Sequence, residues 1–202
     1  MPESAFSQLS VGDFLEMVAA KIPAPGGGAV ASCTGGLAAA LASMVVAYSL
    51  GKKHLADHQP RLDAAAAALE RARALMMELA EEDAAAYAAV NELSRLPEGD
   101  PRRAEQLGPA QAAAIAAPMS VAAGAADLLR LFEDLAPITN RHLRSDLAIA
   151  AVLAAATARS ALWNVRVNVP PGDARGAATV AQAERLVAES EAAARRVEAA
   201  CA

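Results

Sequence analysis

Two lines of residues in this sequence have types and spacings that can do chemistry. Asp83, Tyr87 and Asn91, within EEDAAAYAAVN, fall at i, i+4 and i+8 and share one face of a helix. A carboxylate, a phenol and an amide in line can position a water and move a proton. Glu81 and Glu82 beside them suit a solvated stripe equally well. Ser160, Asn164 and Asn168 repeat the spacing in RSDLAIAAVLAAATARSALWNVRVNV. Amides in so apolar a helix need hydrogen-bond partners. They point to polar ligand atoms or a polar subunit seam; a capping cluster at the helix end accounts for Asn168 but not Asn164. Trp163 is expected in the core. At the other end of this run Ser145 and Asp146 suit capping, and the dipole favours a carboxylate there. Arg141 and Arg144 are cations set against that dipole, which suits an anionic partner or a salt bridge.

A third stretch, KIPAPGGGAVASCTGG, places Gly26, Gly27 and Gly28 at the mouth of a helix. Unpaired N–H groups and the positive dipole end face outward there, and glycine lets a ligand approach without a Cβ in the way. The place suits a carboxylate, a phosphate or an electron-rich ring. Phosphate-loop chemistry is excluded, since no strand precedes the glycines and no Lys-Ser/Thr follows. Taken alone, the stretch reads more simply as a tight turn followed by close packing. Gly28, Ser32, Gly36 and Ala40, at steps of four, form a ridge of minimal height against which another helix can press, in the same chain or across a dimer. His54, His58 and His142 make no convincing metal set, and neither a nucleophile elbow nor a dinucleotide fingerprint is present.

The elements that must position these residues are helices throughout. Hydrophobic residues make up 55% of the 202 residues but aromatics only 3%, so the apolar mass is alanine with some leucine and valine. Alanine favours helix and buries little area, so such a core works by close approach of long helices and by subunit association. Apolar periodicity and turn residues predict helices over about 10–21, from the glycines to Gly51, about 60–95, up to about Leu135 with a bend near Pro118, about 140–169 and about 176–200. Pro170, Pro171 and Gly172 close the fifth. Leu62, Leu69, Leu75, Leu79 and Val90 are expected on the apolar side of the third. No linker divides residues 1–202, so one domain is expected: an all-α bundle of about six long helices that dimerises through its alanine- and glycine-rich helices. The net charge of −5 argues against nucleic acid as a partner. Cys33 and Cys201 form no metal-type spacing and no signal peptide is visible, which points to the cytoplasm. The uncharged run Ala29–Leu50 is long enough to span a membrane, but its Ala, Gly, Ser and Thr content and the charged remainder favour a buried helix in a protein that needs no membrane.

Together, PAPGGGAVAS…GGLAAALASMV…GKK, EEDAAAYAAVNELSRLP, RSDLAIAA and NVRVNV resemble, in order and over nearly the whole chain, the cyclodeaminase/cyclohydrolase family. That family includes the C-terminal domain of formiminotransferase-cyclodeaminase and stand-alone methenyltetrahydrofolate cyclohydrolases. The resemblance implies a homodimeric all-α enzyme of one-carbon metabolism with a folate site between helices. The absence of a formiminotransferase domain here favours hydrolysis of 5,10-methenyltetrahydrofolate to 10-formyltetrahydrofolate. The alternatives are the cyclodeaminase reaction, which releases ammonia, and a non-catalytic folate-binding or assembly module. On this reading Asp83 is the first choice for the catalytic carboxylate and Asp146 the second, with Tyr87 relaying a proton or stacking. Pro25 and Gly26–Gly28 admit the pterin, and Asn164 and Asn168 read its edge or hold the carboxylate. Lys52, Lys53 and Arg144, with Ser145 beside it, hold the glutamate tail. No metal and no cofactor beyond the tetrahydrofolate substrate is expected. Thr139-Asn140 departs from the Gly-Asn frequent in the family.

Overall fold

The structure, a computed structural model, describes residues 5–170 and 172–202. Pro171, expected among the residues that close the fifth helix, lies outside them. Among the described residues there are six α-helices, three short 3-10 turns and no strand. α1 (Val11–Ala19) starts where the Ser10 side chain accepts a hydrogen bond from the Asp13 N–H, as its sequence foretold. α2 (Gly27–Ala47), α3 (Gln59–Ser94), α4 (Pro101–Leu135), α5 (Arg144–Asn168) and α6 (Ala174–Cys201) form the body.

α2 packs against α3 and α5, α4 packs against α3 and α5 on the far side, and α6 lies over α4 and α5. Four long helices thus ring one core, and α6 covers one of its seams. The large core side chains come mainly from α3 and α4, among them Leu62, Leu69, Met76, Leu129, Phe132 and Leu135. α2 and α5 contribute alanines instead, including Ala38, Ala39, Ala42, Ala150, Ala151 and Ala154, all fully buried. Met76 shows how small residues hold the bundle. A Cβ on Gly35 of α2 would lie 2.8 Å from its sulfur, and one on Gly124 of α4 would lie 2.7 Å from its methyl. One flexible thioether therefore fills the notch left by two glycines on different helices.

The ridge of small residues on α2 faces α3: a Cβ on Gly36 would meet Met76 and Met77, and one on Gly28 would meet Asp83. It is therefore consumed inside the chain rather than at a seam between copies. Two expectations fail at the surface. Leu75 is 45% exposed and Trp163 69% exposed. Trp163 is exposed on α5, its ring 5.4 Å from the guanidinium carbon of Arg166, which pairs with Glu184 of α6. A strongly apolar helix sequence does not say which face its neighbours cover.

Candidate active site

The glycines begin α2, and only one of the three is required by its surroundings. Gly26 is the N-cap, with φ −124° and ψ −159°, an extended backbone open to any residue, and a Cβ on it would meet nothing. A Cβ on Gly27 would make ordinary contact with Asn164 Oδ1 at 3.5 Å. At Gly28 the same atom would lie 2.0 Å from Asp83 Oδ2, so no larger residue fits while Asp83 keeps its place. The glycine mouth and the carboxylate on α3, read separately in the sequence, are one site.

Asp83 stands at the wall of a cavity of about 430 Å3. Pro23, Ala24 and Gly26–Gly28 form one side, Asp83, Ala84 and Tyr87 of α3 the second, and Ala114 of α4 with Asn164, Val167 and Asn168 of α5 the rest. Beneath the carboxylate the space is closed by Ala31, Pro118, Val121 and Ala161. Among the described residues no hydrogen bond or ion pair engages Asp83, and burial alone pushes its carboxyl above the usual aspartate range. A desolvated, unpaired carboxylate is a stronger base than a solvated one and attracts a cation strongly. No Lys or Arg lines the cavity.

Asn168 has a position the sequence explains in retrospect. Pro118 lies inside α4 and has no N–H, so the Ala114 carbonyl one turn earlier lacks its helical donor. The Asn168 side-chain amide supplies that donor at 2.6 Å. The proline expected only to bend the helix therefore creates a docking point between α4 and α5, and the amide nitrogen of Asn168 is spent on it. Asn164, one turn earlier, reaches the Ser160 carbonyl only weakly, at 3.4 Å, and keeps its polar atoms for the cavity. Tyr87 is half exposed at the rim. Asn91, a further turn along α3, does not reach the cavity. Glu81, read as solvated, accepts a hydrogen bond from the Phe6 N–H and ties the N-terminal 3-10 turn to α3.

Pro25, buried between the lining residues Ala24 and Gly26 and joined to Ala24 by a cis bond, belongs to the same wall. The remaining expected site residues are not brought there by their own chain. Lys52 and Lys53 follow the far end of α2, about 30 Å from the glycines at 1.5 Å per residue. Asp146, with Arg144 and Ser145, begins α5, about 27 Å from Asn164 by the same rise. These two termini are neighbours: the Asn140 N–H, just before α5, donates to Ser49 Oγ just after α2, at 2.9 Å. The bundle thus has a carboxylate end with the cavity and a basic end without one. The sequence pooled them because a straight helix separates its two termini by its whole length.

The six-helix bundle sets a half-buried carboxylate beside a cavity at the mouth of a glycine-led helix. Comparison with known proteins gives the class a family. The profile of the family described as formiminotransferase-cyclodeaminase matches residues 10–189, and the chain belongs to that family. It is 31% identical to methenyltetrahydrofolate cyclohydrolase of Methylorubrum extorquens over 183 residues, 88% of each protein. It is 32% identical to formimidoyltransferase-cyclodeaminase of Mus musculus over 172 residues, which make up 83% of this chain but 32% of the mouse protein. The chain thus spans about a third of the length of that relative. The crystal structure of formiminotetrahydrofolate cyclodeaminase from Thermotoga maritima superposes with a TM-score of 0.87 at 33% identity, over 96% of both chains.

Proposed function

We propose that this protein hydrolyses 5,10-methenyltetrahydrofolate to 10-formyltetrahydrofolate, with Asp83 as the catalytic base. The observation that carries the reading is the unpaired, desolvated carboxylate of Asp83 held against Gly28 in a cavity that contains no positive charge. The methenyl bridge is an amidinium cation, and a lone half-buried carboxylate is the complement it needs. Asp83 orients a water and takes one of its protons as the oxygen bonds to the bridge carbon. The carbon becomes tetrahedral and bears a hydroxyl. The C–N5 bond then breaks: the hydroxyl proton leaves to solvent, the carbonyl of the formyl group forms, and N5 takes the proton held by Asp83. One water is consumed, one proton is released and no electrons change hands, so the reaction asks for neither a redox cofactor nor a resident metal. Asn164 and the open backbone of Gly26 and Gly27 line the approach to the ring, and Tyr87 flanks it at the rim.

The second reading is formiminotetrahydrofolate cyclization with release of ammonia, since the Thermotoga protein of that activity matches over the same length. It uses the same carbon and the same carboxylate. The two are separated by following methenyltetrahydrofolate absorbance with purified protein against buffer, and ammonia from formiminotetrahydrofolate in parallel. Accelerated decay is expected. Ammonia without decay establishes the second reading, and neither signal at high protein concentration leaves a folate-binding or assembly module. The same proposal includes a cytoplasmic homodimer acting on a folate-type small molecule, without nucleic acid or membrane as a partner.

A further inference from the structure

Ser32 of α2 is fully buried, and among the described residues its Oγ has no hydrogen-bond partner. A serine or threonine inside a helix commonly bonds back to the carbonyl four residues earlier. The other two hydroxyls of α2 do so: Thr34 donates to the Val30 carbonyl and Ser43 to the Ala39 carbonyl, each at 2.8 Å. On α5, Thr157 donates to the Leu153 carbonyl in the same way, at 2.9 Å. Ser32 departs from this pattern, so its hydroxyl stays buried with its capacity to donate unspent. Such a group costs stability unless something else uses it.

The register of α2 and α3 brings one candidate to it. A Cβ on Gly28 would meet Asp83 and one on Gly36 would meet Met76 and Met77, so the two helices run antiparallel here. Ser32 stands midway and opposes the turn of α3 that carries Leu79 and Ala80, both apolar and buried. Side chains lean toward the N-terminus of their own helix. Ser32 therefore leans toward the level of Gly28, and Asp83, on a helix running the other way, leans back toward Ala80. The Asp83 carboxylate fills the place that a side chain on residue 28 would take, with Oδ2 2.0 Å from that Cβ position. Ser32 thus meets it as it would meet a neighbour one turn back on its own helix, about 5–6 Å away between Cβ positions. Rotation about the Ser32 Cα–Cβ bond brings the hydroxyl within reach, with no backbone movement. The space beneath the carboxylate has no room for a water, so the contact is direct. Other titratable groups nearby are engaged or turned away. Glu81 of α3 accepts from the Phe6 N–H and is the charge that faces Cys33 of α2, Glu82 is exposed, and Tyr87 stands at the rim. The residues of α4, α5 and the segment before α2 that wall Asp83 carry no titratable side chain.

We propose that Ser32 is a positioning residue for Asp83: its hydroxyl donates to one carboxylate oxygen of the ionised acid and leaves the other oxygen to the reacting water. The role in turnover rests on the function proposed above; the contact with Asp83 does not. A donor to the charged form favours that form, so the hydroxyl works against the desolvation that surrounds the acid. It also fixes the plane of the carboxylate, and with it the line along which a water is held. A lysine or arginine in this place would neutralise the charge that a cationic substrate needs, whereas a neutral hydroxyl leaves that charge in the cavity.

The contact is tested without substrate. Carboxyl carbons of isotope-labelled aspartate are titrated by NMR in the full chain, and the Asp83 signal is the one missing from Asp83→Asn. Ser32→Ala is expected to raise the Asp83 midpoint by about one pH unit, the effect of losing one hydrogen bond to a charged group. Ser32→Cys, close in volume but a weak donor, is expected to move it the same way when read below pH 7, where the thiol is neutral. Ser190, the other buried serine whose Oγ lacks a partner, lies between α4 and α6 against Arg130, Glu133, Glu189 and Arg196, and Ser190→Ala is expected to leave the midpoint in place. An unchanged midpoint in Ser32→Ala and Ser32→Cys overturns the proposal, and a higher melting temperature with it marks Ser32 as a packing residue whose hydroxyl only costs stability. In turnover, on the plateau above the midpoint, Ser32→Ala is expected to lower kcat about tenfold with KM within about threefold of the parent. A raised KM at unchanged kcat, the mark of a substrate contact, overturns the positioning role. If methenyltetrahydrofolate is not hydrolysed, the function proposed above fails, and the titration still decides whether Ser32 holds Asp83.

Discussion

The two ends of α2 and α5 carry the polar residues that a sequence reader would assign to chemistry, and the fold uses them differently. At the carboxylate end four helices converge, and the side chains around Asp83 are mostly small or apolar. Asp83 is walled by glycine and apolar residues, and its neighbour Asn168 is bound to a backbone carbonyl. At the basic end Lys52, Lys53 and Arg141 stand in solvent beside a turn. A carboxylate acquires unusual reactivity only where solvent is excluded, whereas a charge that merely binds works at the surface. On the function proposed above, the difference separates residues placed to react from residues placed to hold.

Substitutions can break or sharpen that contrast. The largest effect is expected from Asp83→Asn, with a loss of about 100- to 10,000-fold in kcat, the span of a general base. The same change is expected to raise thermal stability at neutral pH. Burial raises the Asp83 pKa in the folded state, so the native protein binds this proton more tightly than the unfolded chain does. Stability from this group is greatest below about pH 3.9 and is lost as pH rises through the raised value. Asparagine removes that loss, and a melting curve at pH 7 checks it. For the wild type, kcat/KM is expected to rise with pH through a midpoint above that of an exposed aspartate. Next comes Gly28→Ala. Its methyl displaces Asp83, and a shift of about 1 Å costs about 100-fold in kcat/KM, read in the same assay. Asn168→Ala orphans the Ala114 carbonyl and is expected to cost about 1–3 kcal/mol by denaturant unfolding. Gly26→Ala, with open space at its Cβ, is expected to change turnover less than about threefold.

The helices were legible because proline, glycine and capping residues punctuate an alanine-rich chain. Ser10, the glycines before α2, Leu96–Pro101 and Pro170 stand close to observed ends. The pairing of Gly28 with Asp83 was not legible from spacing, since it joins two helices, although each residue stood out on its own. Pro118 was visible, but its effect passes through a carbonyl to an amide on another helix, and no local pattern encodes that. Trp163 and Leu75 were misplaced for a related reason: with alanine on every side of a helix, periodicity does not mark the face that neighbours bury. The cations at the basic end were read as tail ligands on composition and resemblance, without regard to the length of α2.

The most direct test sets the two ends against each other in one experiment, with kcat for 5,10-methenyltetrahydrofolate hydrolysis measured for Asp83→Asn and for Asp146→Asn beside the parent protein. The account predicts a loss of at least about 100-fold for Asp83→Asn, the lower range for a general base, and a kcat within about threefold of the parent for Asp146→Asn. Retention of kcat by Asp83→Asn, or its loss with Asp146→Asn alone, would contradict the placement of the chemistry at the glycine end of the bundle.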